Sequence, residues 1–141
     1  MKKIAIAMLL GLTANAFALQ PKLQIDYTNH AWGYDNKGCL IDIEGNVYKY
    51  GYGHSSNGKG IVASGKMSTA DLQFANELIE KISHGKFSEQ VAAADAGTTL
   101  WTATSEYGGL VKLKSSGDYM GKNSAPETDT LLTLVNGLCG E

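Results

Sequence analysis

The 141-residue chain has no arginine; all 12 of its basic residues are lysines, set against 14 acidic residues. Arginine's planar guanidinium is the preferred reader of phosphates and guanine edges, so a mildly acidic chain without it is a poor nucleic-acid binder. Compact catalytic signatures are also missing. There is no G-x-S-x-G elbow, no H-E-x-x-H and no C-x-x-C, which removes the local marks of serine hydrolases, zinc peptidases and dithiol sites. Neither cysteine has the His or Cys spacing of a metal centre, and no metal ligand set is expected. Histidines number three, at 30, 54 and 84. His84 sits where a predicted helix ends, a place that favours a cation. Catalytic groups do assemble from distant positions, and here His30 or His54 with Asp35 or Asp95 forms the catalytic alternative, a small periplasmic hydrolase.

No hydrophobic run is long enough to cross a bilayer. The longest apolar stretch, Ile4 to Leu12, follows Lys2 and Lys3 and leads to Ala16-Phe17-Ala18. A basic start, a short apolar run and an A-x-A site predict a secretory signal peptide over 1–18, cleaved after Ala18, and too short for a membrane span. Residues 19–141 then form a single domain of about 123 residues, enough for one core, in the periplasm or outside the cell. Two cysteines remain, Cys39 and Cys139. In an exported chain such a pair predicts a disulfide, whose loop of about 100 residues gives an entropic stabilisation of up to about 4.7 kcal/mol.

Two stretches come close to known loops and miss. Gly53 to Gly60, GHSSNGKG, lacks the final hydroxyl residue of G-x-x-x-x-G-K-[ST], and Ile61-Val62-Ala63 predicts a strand where a phosphate loop needs a helix. Asp95-Ala96-Gly97 lacks the hydroxyl residue of an aspartic-protease turn and occurs once, where two carboxylates are needed. It predicts an ordinary aspartate–glycine turn. No cofactor is expected.

Against these absences stands one well-patterned stretch, Gly38 to Gly53, GCLIDIEGNVYKYGYG. Gly45-Asn46 suits a two-residue hairpin turn, which sets Ile43 opposite Tyr48, Ile41 opposite Tyr50 and Cys39 opposite Tyr52. That register puts these six on one apolar face and exposes Asp42 and Lys49 on the other. Around it, strands are predicted at 23–27, 60–66, 98–105 and 109–114. Ser68 and Asp71 cap a helix with a stripe of Leu72, Ala75, Leu78, Ile79 and Ile82, ended by Gly85. Ser88 to Ala94 predicts one or two helical turns, and 115–123 a polar loop. Ser124 and Glu127 predict a capping box, with Pro126 in the first turn, for a helix burying Leu131, Leu134, Val135 and Leu138. The expected fold is α+β: an antiparallel sheet of five to six strands with two main helices packed on one face.

The pattern of Cys39, Ile41, Ile43, Gly45, Val47, Tyr48, Ser68, Asp95 and Pro126 resembles that of a group of uncharacterised exported bacterial α+β domains. The resemblance implies the layout and no activity. For function, the aromatics are the guide: five of the seven tyrosines, with Trp32, fall between Tyr27 and Tyr52. Tyrosine and tryptophan anchor interfaces. Trp32, Tyr34, His54 and Asn57, on the loops 30–37 and 53–60 at one end of the hairpin, form the expected binding site for a protein or glycan. The chain is accordingly expected to be a small exported binding or inhibitory protein, such as an inhibitor, immunity protein or envelope binding module. A structural envelope component is the further alternative.

Overall fold

A computed structural model describes residues 20–30, 35–53 and 60–140. Alternation of Leu23 and Ile25 with polar neighbours makes β1 (Pro21–Asn29), which pairs on one side with β2 (Asp35–Asp42) and on the other with β6 (Thr98–Thr104). β3 (Asn46–Gly53) and β4 (Val62–Lys66) continue the sheet beyond β2; β7 (Leu110–Gly117), β8 (Tyr119–Asn123) and β5 (Phe87–Val91) continue it beyond β6. The described residues thus form one antiparallel sheet of eight strands in the order β4-β3-β2-β1-β6-β7-β8-β5, with helices α1 (Thr69–Ser83) and α2 (Thr128–Cys139). The expected fold class is corrected here: the architecture is mostly sheet, and its strands number eight rather than five to six.

The additional strands come from the two stretches predicted without sheet. Residues 87–91 pair with β8 from Phe87 opposite Asn123 to Val91 opposite Tyr119. Glu89 and Gln90 favour helix in isolation, but the open edge of β8 supplies backbone partners, and such context overrides local propensity. The predicted polar loop at 115–123 is instead the end of β7 and all of β8, bent at Gly117 and Asp118.

The 38–53 hairpin forms, in a different register. Ile41 lies opposite Val47 and Cys39 opposite Lys49, three residues from the expected pairing. An odd shift turns every β3 side chain to the other face. Val47 joins Cys39 and Ile41 in the core, and Tyr48 and Tyr50 lie half-buried on the face away from the helices. The cause is Asp42. Its carboxylate accepts from the backbone N–H groups of Glu44 and Asn46, both at 2.9 Å, and from the Asn46 amide at 3.0 Å. These bonds close a turn over 42–45 in which Gly45, at φ +86°, supplies the left-handed residue of a bulged hairpin. Ile43, 56 % exposed, is a turn residue, and Asp42 is buried. Burial alone would push the Asp42 carboxyl up, but hydrogen bonds from the Asn46 side chain and backbone, the Glu44 backbone and the Tyr48 hydroxyl outweigh it and hold it below its ordinary 3.8.

One face of the sheet carries the core. Leu23, Ile25, Ile41, Val47, Ala103 and Leu113 meet Ala75, Leu78, Ile79 and Ile82 of α1 and Leu131, Leu132 and Val135 of α2 in one buried cluster. α1 is capped as its sequence predicts: the Ser68 hydroxyl accepts from the Asp71 N–H at 3.1 Å and donates to the Asp71 carboxylate at 2.7 Å. α2 starts later than its predicted box. Ser124 Oγ accepts instead from the Lys86 N–H at 3.0 Å, and Glu127 makes no side-chain cap. Buried Asn123 ties this corner down, donating to the Lys112 carbonyl and accepting from the Ala125 N–H. α2 is fixed to the sheet by the Cys39–Cys139 disulfide, with Cα atoms 5.8 Å apart, and by Trp101 Nε1 donating to Asn136 at 3.0 Å. Among the described residues no helix is long and apolar enough to cross a membrane.

The register makes a contrast that denaturant titration checks. Ile41→Ala is expected to cost about 2–5 kcal/mol, while Ile43→Ala, in the exposed turn, stays within about 0.5 kcal/mol. Equal losses would refute this register. Asp42→Ala is expected to cost about 1–3 kcal/mol, because two backbone donors lose their acceptor. Because the folded state holds this carboxyl low, the unfolded chain binds the proton first as pH falls. The contribution of Asp42 is therefore complete above 3.8 and is lost below it, and the gap between parent and Asp42→Ala should close there in urea titrations.

Candidate functional site

At the end of the sheet remote from the Asp42 turn, three segments converge. They are the end of β1 with His30, the turn before β6, and the bend between β7 and β8. Between them lies an open cleft of about 500 Å³, lined by Thr28, Asn29 and His30, by Asp95, Gly97 and Thr98, and by Asp118 and Tyr119.

Each wall is held from behind. On the face away from the helices, Tyr50 of β3 reaches across β2 and donates its hydroxyl to Asp26 at 2.5 Å, while Gln24 donates to the same hydroxyl at 2.9 Å. Asn36 donates to Asp26 and to Thr28, and Thr28 donates to the second Asp26 oxygen. This network fixes the rotamer of Thr28, the first residue of the cleft. The second wall depends on Asp118. Its carboxylate accepts from the Ala96 N–H at 2.8 Å, its N–H donates to the Gly97 carbonyl at 2.8 Å, and its own carbonyl accepts from Ala92 and Ala93. Asp95, at φ +67°, and Gly97, at φ +72°, both take the left-handed conformation in this turn. At Gly97 a Cβ would lie 2.8 Å from the Tyr27 ring, so the turn closes onto that ring only with glycine there. Lys37 covers the same ring, with its nitrogen 5.3 Å from the centroid.

One side of the cleft is apolar. Tyr119 is 47 % exposed, and Val91, its partner across β5 and β8, is exposed as well. The cleft therefore offers carboxylates, an imidazole and two threonine hydroxyls beside one exposed aromatic ring. Among the described residues no group of three His, Cys, Asp or Glu side chains is placed to hold a metal ion.

The residues anticipated from sequence divide three ways. His30 and Asp95 come together in the cleft. Asp35 heads β2, opposite Asn29 and Gly53, and is not among the cleft residues. Trp32, Tyr34, His54 and Asn57 lie outside the described residues. Asp118 and Tyr119 lie in the segment whose polar sequence predicts a loop; the Gly117-Asp118 pair, a turn signal between two polar strands, is the mark that points to them. The chain matches no protein-family model, no curated protein and no solved structure.

Asp118→Ala removes one side-chain bond and leaves the backbone bonds of that residue. It should cost about 0.5–1.5 kcal/mol and speed hydrogen exchange at the Ala96 amide, with the Ala92 amide unchanged. Equal acceleration at both amides would mean that the carboxylate does not act on the turn locally.

Proposed function

We propose that the protein is a small exported binding or inhibitory module and that its partner is a protein seated on the cleft between His30, Asp95 and Asp118. The observation that carries this reading is the meeting of those hydrogen-bonding groups with exposed Tyr119 and its cross-strand partner Val91. Interfaces of this kind combine a desolvated apolar anchor with polar contacts that fix orientation. The disulfide accords with an oxidising compartment, and with it the signal peptide expected over 1–18. Trp32 and Tyr34 follow His30 within four positions, so the aromatic residues favoured by the sequence adjoin the cleft along the chain. The hydrolase reading keeps one supporting fact, that His30 and Asp95 share this cleft.

The test uses the oxidised protein without residues 1–18 as bait in an envelope extract, followed by affinity measurement with the purified partner. Tyr119→Ala and Trp32→Ala should each weaken binding by at least about 2 kcal/mol if they are anchors. Normal folding with parental affinity in both variants would show that the partner docks elsewhere. Retention of glycans in place of protein, or turnover of a substrate that His30→Ala abolishes, would replace the proposal.

A further inference from the structure

At the opposite end of β1, roughly 26 Å away at about 3.3 Å per strand residue, the sheet contains a second polar constellation. The pairing of β1 with β2 slips by one residue between Pro21 and Leu23. Such a bulge re-aims the side chain it carries, and here it turns Lys22 towards α1, on the same side as Leu23. Lys22 is only 9 % exposed. Among the described residues its ammonium has no hydrogen-bond acceptor and no carboxylate within 4.0 Å. It faces two adjoining clefts of about 570 and 340 Å³, which share Lys22, Asn76 and Glu106 as lining. Glu77 and Glu80 of α1 complete the smaller one. The walls are fixed to each other, since Glu80 accepts from the Glu106 N–H at 2.8 Å.

The Lys22 stem is buried while its ammonium opens into the clefts, and the charges around it narrow what it would bind. An anion would meet three carboxylates. A cation would leave the Lys22 donors unmet and add a like charge beside them. A hydroxyl group serves both sides, accepting from Lys22 and donating to a glutamate. The larger cleft has an apolar surface in its lining, Ile43, and Tyr107, 91 % exposed, stands in the chain between the lining residues Glu106 and Gly108. We infer that the groove around Lys22 is a binding site for a neutral polyhydroxyl ligand, a saccharide whose hydroxyls bridge the Lys22 ammonium to Glu80 or Glu106. Burial lowers the Lys22 pKa, and Glu80 and Glu106 work against that fall. The site is independent of the cleft at His30.

The experiment is an amide-resolved NMR titration of the disulfide-bonded protein with cellobiose, maltose and chitobiose, and with gluconate and glucosamine as charged counterparts. At least one neutral disaccharide should shift the Asn76, Ser105 and Glu106 amides and bind more tightly than either charged sugar. Lys22→Met should weaken that binding at least about tenfold, the loss of one hydrogen bond to a charged group. Asn76→Ala, at an exposed helix position, should weaken it several-fold, and it decides the matter if Lys22→Met does not fold. The proposal fails if no neutral sugar moves these amides at its solubility limit, if gluconate or glucosamine binds better, or if the variants keep parental affinity.

Discussion

The ladder between β1 and β6 makes this chain one structure. Each half of the sheet is built locally: β2, β3 and β4 follow one another beyond β1, while β7, β8 and β5 gather on the far side of β6. Among the described strands, the ladder from Leu23 opposite Ala103 to Thr28 opposite Thr98 unites the halves. Ile25 and Trp101 face each other in it, and Trp101 then holds α2 through Asn136 while Lys114 covers its ring at 5.1 Å. The core under the helices exists because this ladder brings two apolar half-faces together. Both grooves open at its ends, one at Thr28 and Thr98, the other at Lys22 and Thr104.

The covalent link repeats the same join at another level. Cys39 belongs to the first half of the sheet and Cys139 to the helix that closes the second, 100 residues later. By contrast, the ion pairs Lys112–Glu89 and Lys122–Asp129 lie on the surface within the second half, where such contacts contribute little. Long-range order thus rests on apolar packing, a backbone ladder and one disulfide.

Much of this was legible in the sequence wherever the signal was local and one-sided. The Ser68 cap, the stripe from Ala75 to Ile82 and the cysteine pair each depend on few residues with strong preferences. What could not be read depended on competition between distant parts. Residues 87–91 become a strand because β8 lies beside them, and β8 forms because Gly117 bends β7 back. The hairpin register turned on one side chain: Gly45-Asn46 suits a two-residue turn in isolation, but three hydrogen bonds to Asp42 select a longer one and exchange the faces of β3. The sequence offers the convergence of His30 and Asp95 only as one of several pairings, and Asp118 is hidden in a segment with no periodicity. Lys22 carries no motif at all; its significance arises from a bulge, which sequence patterns do not encode.

The order of the strands also dictates when they can assemble. β1 has its first neighbour a few residues downstream, but its second only with β6, about 70 residues later. A chain delivered from its N-terminus therefore carries β1 with a bare edge until most of the molecule has emerged. Non-local pairing of this kind slows folding and leaves a template for unwanted strand addition. The lengthy wait falls on a strand whose edge residues include Gln24, Asp26 and Thr28. The half-buried polar network around Asp26 thus has a temporal counterpart: Asn36 and Tyr50, from the early-forming strands, hold that carboxylate on β1 while the edge awaiting β6 is still bare, a gatekeeper against premature partners.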